Sequence, residues 1–68
     1  METLHLRDDY IKLGQVLKAA GLVDSGVEAK IVIQDGQVRV NGLVELRRGK
    51  KIVAGDTVEY AGQTVKVE

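Results

Sequence analysis

The sequence predicts an α+β domain in which two short helices precede a small antiparallel sheet. Three observations carry this. Apolar residues recur with a helical period up to Gly36 and with a strand period after it. Ser25-Gly26-Val27-Glu28 has the form of a capping box, which opens a helix. Asn41-Gly42 is the strongest short-range hairpin signal, because a type I′ turn needs positive φ at both central residues. Helices followed by strands, with no internal repeat, low-complexity stretch or proline, read as α+β.

Each element can be justified in order. Residues 1–9 are polar around Leu4 and Leu6 and read as a short extended segment or a tail. Asp8 and Asp9 offer N-cap oxygens for a first helix. Within Tyr10–Ala20, Leu13, Val16, Leu17 and Ala20 fall on one helical face. Gly14 would cost an interior helix turn about 1 kcal/mol, so it is expected near the start. Gly21 supplies the stop, and the short link Leu22–Asp24 forces the two helices into a tight pair.

The second helix opens at Ser25 and turns Ala29, Val32 and Ile33 inward. Lys30 and Gln34 fall on a more exposed stripe, and Gly36 suits the left-handed residue that ends a helix. Beyond it Val38 and Val40 alternate with Gln37, Arg39 and Asn41. Leu43–Leu46 returns from the hairpin, and Ile52–Val53 leads into the turn Ala54-Gly55-Asp56. Thr57–Tyr60 and Thr64–Val67 form a second hairpin around Ala61-Gly62-Gln63. Leu13, Leu17, Ala29, Ile33, Val38 and Val40 are the expected core.

Composition narrows the function. The chain has 68 residues and reads as one domain over 1–68. A core this small rarely supplies more than about 3–5 kcal/mol of stability. With no cysteine there is neither a disulfide nor a thiolate metal site. No apolar run approaches the roughly 20 residues of a membrane span, and METLHLRDDY lacks a signal peptide's apolar stretch. A soluble, cytoplasmic protein is expected. Two tyrosines, Tyr10 and Tyr60, are its only aromatics, which disfavours general single-strand binding by stacking. His5, the single histidine, reads as an ordinary peripheral side chain.

The net charge is zero, with ten basic and ten acidic residues, but the charge is unevenly placed. Residues 1–36 carry four basic and six acidic side chains; residues 37–68 carry six and four. Most of the excess lies in Val38–Lys51, where Arg39, Arg47, Arg48, Lys50 and Lys51 face a single acid, Glu45. Four cations within five residues, beside a hairpin, are what a phosphate-binding surface requires. Arginine grips phosphate bidentately and lysine acts as a compact point charge. Arg39 should project from the solvent side of its strand, with Glu45 or Glu59 as possible cross-strand partners. Lys12 and Lys18 are weaker candidates, since six positions separate them and they do not share a helical face.

Catalysis finds no support. A nucleophile needs an adjacent base and an orienting group. The lone serine, Ser25, is used in a cap, and Asp8-Asp9 reads as a helix start rather than a magnesium site. No glycine-rich run has the P-loop pattern. No catalytic residue, metal ligand or cofactor is therefore assigned.

A family resemblance rests on particular residues. Leu17-Lys18, Gly21-Leu22, Ser25, Glu28-Ala29-Lys30, Ile33, Gly36, Val38-Arg39-Val40-Asn41-Gly42 and Gly55-Asp56 resemble the S4 RNA-binding domain over about residues 12–60. Leu13-Gly14-Gln15, Ser25-Gly26 and Arg47-Arg48-Gly49-Lys50-Lys51 are similar to the small stand-alone bacterial proteins of that family. The family at large often has aspartate at the position of Gly14 and arginine at that of Gly26. The resemblance implies an S4-like fold with its αL motif, a two-helix platform on a small twisted antiparallel sheet. It implies a non-catalytic, monomeric RNA binder for structured ribosomal or transfer RNA, acting in ribosome assembly or translation. Lys30 lies within the family's motif and joins Arg39, Arg47, Arg48, Lys50 and Lys51 as an expected RNA contact, with Lys12 and Lys18 behind them. The alternative is a protein-interaction module that docks an acidic or ribosomal protein. DNA binding through a helix-turn-helix is disfavoured, because the second helix lacks a polar recognition face.

Overall fold

The computed structural model describes residues 2–68, so Met1 of the expected 1–68 domain lies outside it. The elements are β1 (Glu2–Leu4), β2 (Ile11–Lys12), α1 (Leu13–Ala19), α2 (Gly26–Gln34), β3 (Val38–Val40), β4 (Leu43–Val44), β5 (Lys51–Ile52), β6 (Thr57–Tyr60) and β7 (Gln63–Val67). Five strands form one sheet in the order β1-β7-β6-β3-β4, and β2 pairs with β5 in a separate two-stranded ribbon. The α+β reading holds.

The two helices form where their apolar faces can be buried. Leu13, Val16 and Leu17 of α1 and Ala29, Val32 and Ile33 of α2 are buried in one cluster with Val38, Val40, Ile52, Val58, Val65 and Val67. Each valine, leucine or isoleucine so removed from water contributes about 1.5–3 kcal/mol. All six residues expected in the core are there. At the start of α2, Ser25 Oγ accepts from Glu28 N at 3.1 Å. The Glu28 carboxylate accepts from Asp24 N at 2.9 Å, one residue earlier than a reciprocal box would have it. Both helices end in a Schellman arrangement. Leu22 N donates to Leu17 O at 2.9 Å, and Gln37 N to Val32 O at 3.1 Å.

Four local expectations are corrected. The first helix starts at Leu13, not near Tyr10, and Lys12 rather than Asp8 or Asp9 is its N-cap. The reason is tertiary: Ile11 and Lys12 pair as a strand with Ile52 and Lys51. The main sheet is mixed rather than antiparallel, because β1 runs parallel to β7. The second hairpin turn is the two residues Ala61 and Gly62, both at positive φ, so Gln63 already belongs to β7. The strand after Asn41-Gly42 is only Leu43–Val44, an exposed edge, although Glu45 N still reaches Val38 O at 3.0 Å.

One polar cluster ties the turns together. Asn41 Nδ2 donates to Asp56 Oδ1 at 3.0 Å, and Asn41 Oδ1 accepts from Thr57 N at 2.9 Å. Asp56 Oδ2 accepts from Val53 N at 2.9 Å. These bonds to the charged form hold the Asp56 carboxyl below its usual range, the Val53 amide first and the Asn41 amide second.

Candidate nucleic-acid interface

The segment from Glu45 to Lys51 is held by backbone contacts, so its cations are placed rather than free to wander. Lys50 N donates to Arg47 O at 3.2 Å and closes a tight turn. Leu13 N then donates to Lys50 O at 2.9 Å, and Gly14 N to Arg48 O at 3.1 Å. Those two amides belong to the first turn of α1, where N–H groups lack intrahelical partners. The basic loop supplies the missing carbonyls and so docks on the start of the helix.

The docking brings three cations to one groove. Lys12, Gly14, Gln15, Lys18, Gly26, Arg48 and Gly49 line a groove of about 320 Å³ between the starts of the two helices and the loop. No acidic residue lines it, and three of its seven lining residues are glycines. Gly26 and Gly49 are open there, and a surface without side chains lets a phosphate backbone approach closely. Arg47, Gly49, Lys50 and Lys51 line an adjoining hollow, so Gly49 is common to both.

The charges are crowded. Lys12 and Lys51 are directly opposite across the β2–β5 ribbon, an arrangement of like charges that costs stability. Lys51 Nζ turns aside and lies 4.8 Å from the centre of the Tyr10 ring. Arg47 is restrained by an acid: its Nε is 3.0 Å and its Nη2 3.2 Å from the Glu45 carboxylate. The Arg47 hydrogen bond, before any other influence, brings the Glu45 pKa down to about 2, and Glu45 in turn raises that of Arg47.

The expected contacts are thus distributed unevenly. Arg48 lies in the groove together with Lys12 and Lys18, which sequence spacing had assigned to different faces. A residue at a helix N-cap and one near its end can both border a groove along that helix. Arg47, Lys50 and Lys51 border the hollow. Lys30 is exposed on α2, one turn beyond Gly26 on the same side of the helix. Arg39 is not brought to the groove. Val38 and Val40 on either side of it are buried beneath the helices, so Arg39 projects from the opposite face of the sheet. Its register partners are Glu59 and Val44, and among the described residues the one ion pair is Arg47–Glu45. Sequence reasoning missed Gly14, Gln15 and Gly26 as groove residues. The signal available was two glycines within helical patterns at positions that favour a side chain.

A model of the S4 domain matches residues 4–68. The chain is 50% identical over 58 residues to the Escherichia coli (strain K12) protein named "Putative RNA-binding protein YbcJ", covering 85% of this chain and 83% of that one. It is 43% identical over 54 residues to the Bacillus subtilis (strain 168) protein named "Probable ribosome maturation protein RlbA", covering 79% and 76%. The solution structure of Escherichia coli YbcJ, described as revealing an αL motif involved in RNA-binding, superposes with a TM-score of 0.75 at 47% identity. That match spans 98% of this chain and 86% of the other. The chain accordingly belongs to the S4 domain family.

Proposed function

We propose that this protein is a non-catalytic, monomeric binder of structured RNA, ribosomal RNA above all. The observation that carries the reading is the groove in which Lys12, Lys18 and Arg48 meet with no acid among them. Arg47, Lys50 and Lys51 extend the same positive surface past Gly49, and Lys30 continues it along α2. Cations spaced along a glycine-floored groove suit the backbone of a folded RNA, which proteins read mainly by shape and phosphate position. The names of YbcJ and RlbA support RNA as the ligand and the ribosome as the setting. A role in ribosome assembly or translation in the cytoplasm follows by family analogy.

Binding of an RNA hairpin across a salt series tests this. About four to six phosphate contacts predict a roughly hundredfold or greater loss of affinity on a fourfold rise in salt. Replacing Lys12, Lys18 and Arg48 together by alanine should remove at least half of that dependence. Undiminished affinity in the triple variant would place the site elsewhere.

One observation favours a second reading, a protein-docking module. Leu43, Val44 and Leu46 are 74%, 52% and 56% exposed at the open β4 edge. Apolar side chains on an unpaired edge invite a partner strand. A partner recovered from cells that survives nuclease treatment, and is lost on Val44→Lys, would support that reading.

A further inference from the structure

A second and larger groove runs beside the first. It encloses about 660 Å³, and its wall includes His5, Arg7, Asp8, Tyr10, Gln15 and Lys18. Gln15 and Lys18 border both grooves, so the two are continuous along α1. Nothing in the spacing of the residues connects residues 5–10 with the basic loop. The connection arises because residues 11–12 leave the helix and pair with β5, which turns the preceding segment back along α1.

The chemistry of this wall differs from that of the first groove. Tyr10 is 41% exposed, whereas the other aromatic, Tyr60, is half-buried against the core. Lys51 lies over the Tyr10 ring but does not line the groove, so it props the ring from outside. Arg7 and Lys18 supply two cations, and Asp8 stands on the same wall as an acceptor. A bare phosphate would be repelled by Asp8 and would make no use of Tyr10. A nucleotide uses all of them: its phosphate meets the cations, its base stacks on an aromatic face, and a base amino group donates to a carboxylate. The volume lies within the range of small-molecule sites. Bases inside a duplex are stacked on one another and cannot reach Tyr10, so the nucleotide must be unpaired.

We propose that this second groove takes one unpaired nucleotide flanking the RNA helix held in the first, with its base stacked on Tyr10 and its phosphate between Arg7 and Lys18. The inference rests on the RNA reading above. It names the RNA feature recognised, a junction between paired and unpaired strands. The early objection to stacking applied to long single strands, which need several aromatics; one base needs one.

The test uses an RNA hairpin of about 16 base pairs in four forms: blunt, with a short 5′ adenosine tail, with the same tail at the 3′ end, and with an abasic tail. One of the adenosine tails should tighten binding by about fivefold or more, the low end of base–aromatic stacking. The abasic tail, which keeps the phosphates, should recover only a minor part. Tyr10→Phe should keep the gain. Tyr10→Leu should lose it while still binding the blunt hairpin. The chain has no tryptophan, so Tyr60→Phe leaves Tyr10 as its only fluorophore, and the tailed hairpin should quench it more than the blunt one. Equal affinity for blunt and tailed hairpins overturns the inference, as does a tail gain that survives Tyr10→Leu. Failure of the wild-type protein to bind any of the four overturns the RNA reading and the inference with it. That outcome is recognised by the absence of any complex rather than by the loss of an increment.

Discussion

The side chain of Arg48 lies across Gly14 so closely that a Cβ at position 14 would stand 2.8 Å from Arg48 Cγ and 3.3 Å from its Cδ. Gly14 is not at positive φ, so its lack of a side chain matters for space rather than for backbone freedom. In the first turn alanine gains less than the roughly 1 kcal/mol of a helix interior, and that gain is offset by the rotation about χ1 that the exposed Arg48 must make, since its Cγ is the atom in the way. Gly14→Ala should therefore change the urea midpoint little while moving the guanidinium out of the groove. RNA affinity should fall by a factor close to that for Arg48→Ala. In a double-mutant cycle the two losses should not add; additive losses would show that Gly14 acts independently of Arg48.

Arg39 and Arg48 should separate cleanly. Arg48→Ala should reduce the salt slope of RNA binding by about one contact. Arg39→Ala, on the opposite face of the sheet, should leave affinity within about twofold, since Arg39 lines neither hollow and salt screens an exposed charge. Filter binding at two salt concentrations distinguishes them.

Stability should fall at acid pH through Glu45 and Asp56. Glu45 has a folded pKa of about 2 against an ordinary value of 4.5, and Asp56 is likewise lowered. A depressed pKa stabilises the folded state fully above the unfolded value, and the contribution is lost as pH falls through the folded one. Urea midpoints should thus decline from about pH 4.5 towards pH 2. Glu45→Gln should flatten part of this limb. The change should be small, because the Arg47 side chain of the pair is largely exposed and solvent screens the attraction. It should also free Arg47 and strengthen RNA binding at neutral pH.

The Asn41–Asp56 cluster should be worth more than its exposure suggests. Asn41→Gly keeps the positive φ of the turn but removes the bonds to Asp56 and Thr57. A loss of about 1–3 kcal/mol is expected, measured by urea unfolding. A loss no greater than a few tenths would mean that the turn conformation alone carries the role of Asn41.

The sequence revealed most where a local rule matches a local bond. Ser25 and Glu28 announced the start of α2, and Asn41-Gly42 its hairpin, because caps and tight turns are settled by a few neighbouring residues. The apolar periods likewise identified Leu13, Leu17, Ala29, Ile33, Val38 and Val40 as core. The start of α1 was not legible, since the residue that claims Ile11 is Ile52, forty-one positions away. For the same reason the parallel β1–β7 pairing escaped notice. In the candidate site the basic run was plain, but its partners were not. Nothing in the spacing of Lys12, Lys18 and Arg48 says that the loop's carbonyls will cap α1 and draw all three to one groove.

That capping also fixes when the ordering cost is met. The loop cannot detach without exposing the Leu13 and Gly14 amides, so its conformational entropy is surrendered as the chain folds and not when a ligand arrives. An RNA meeting this surface should encounter a rigid template. Its association should proceed at a rate limited by encounter and steering, with no slow step for loop rearrangement.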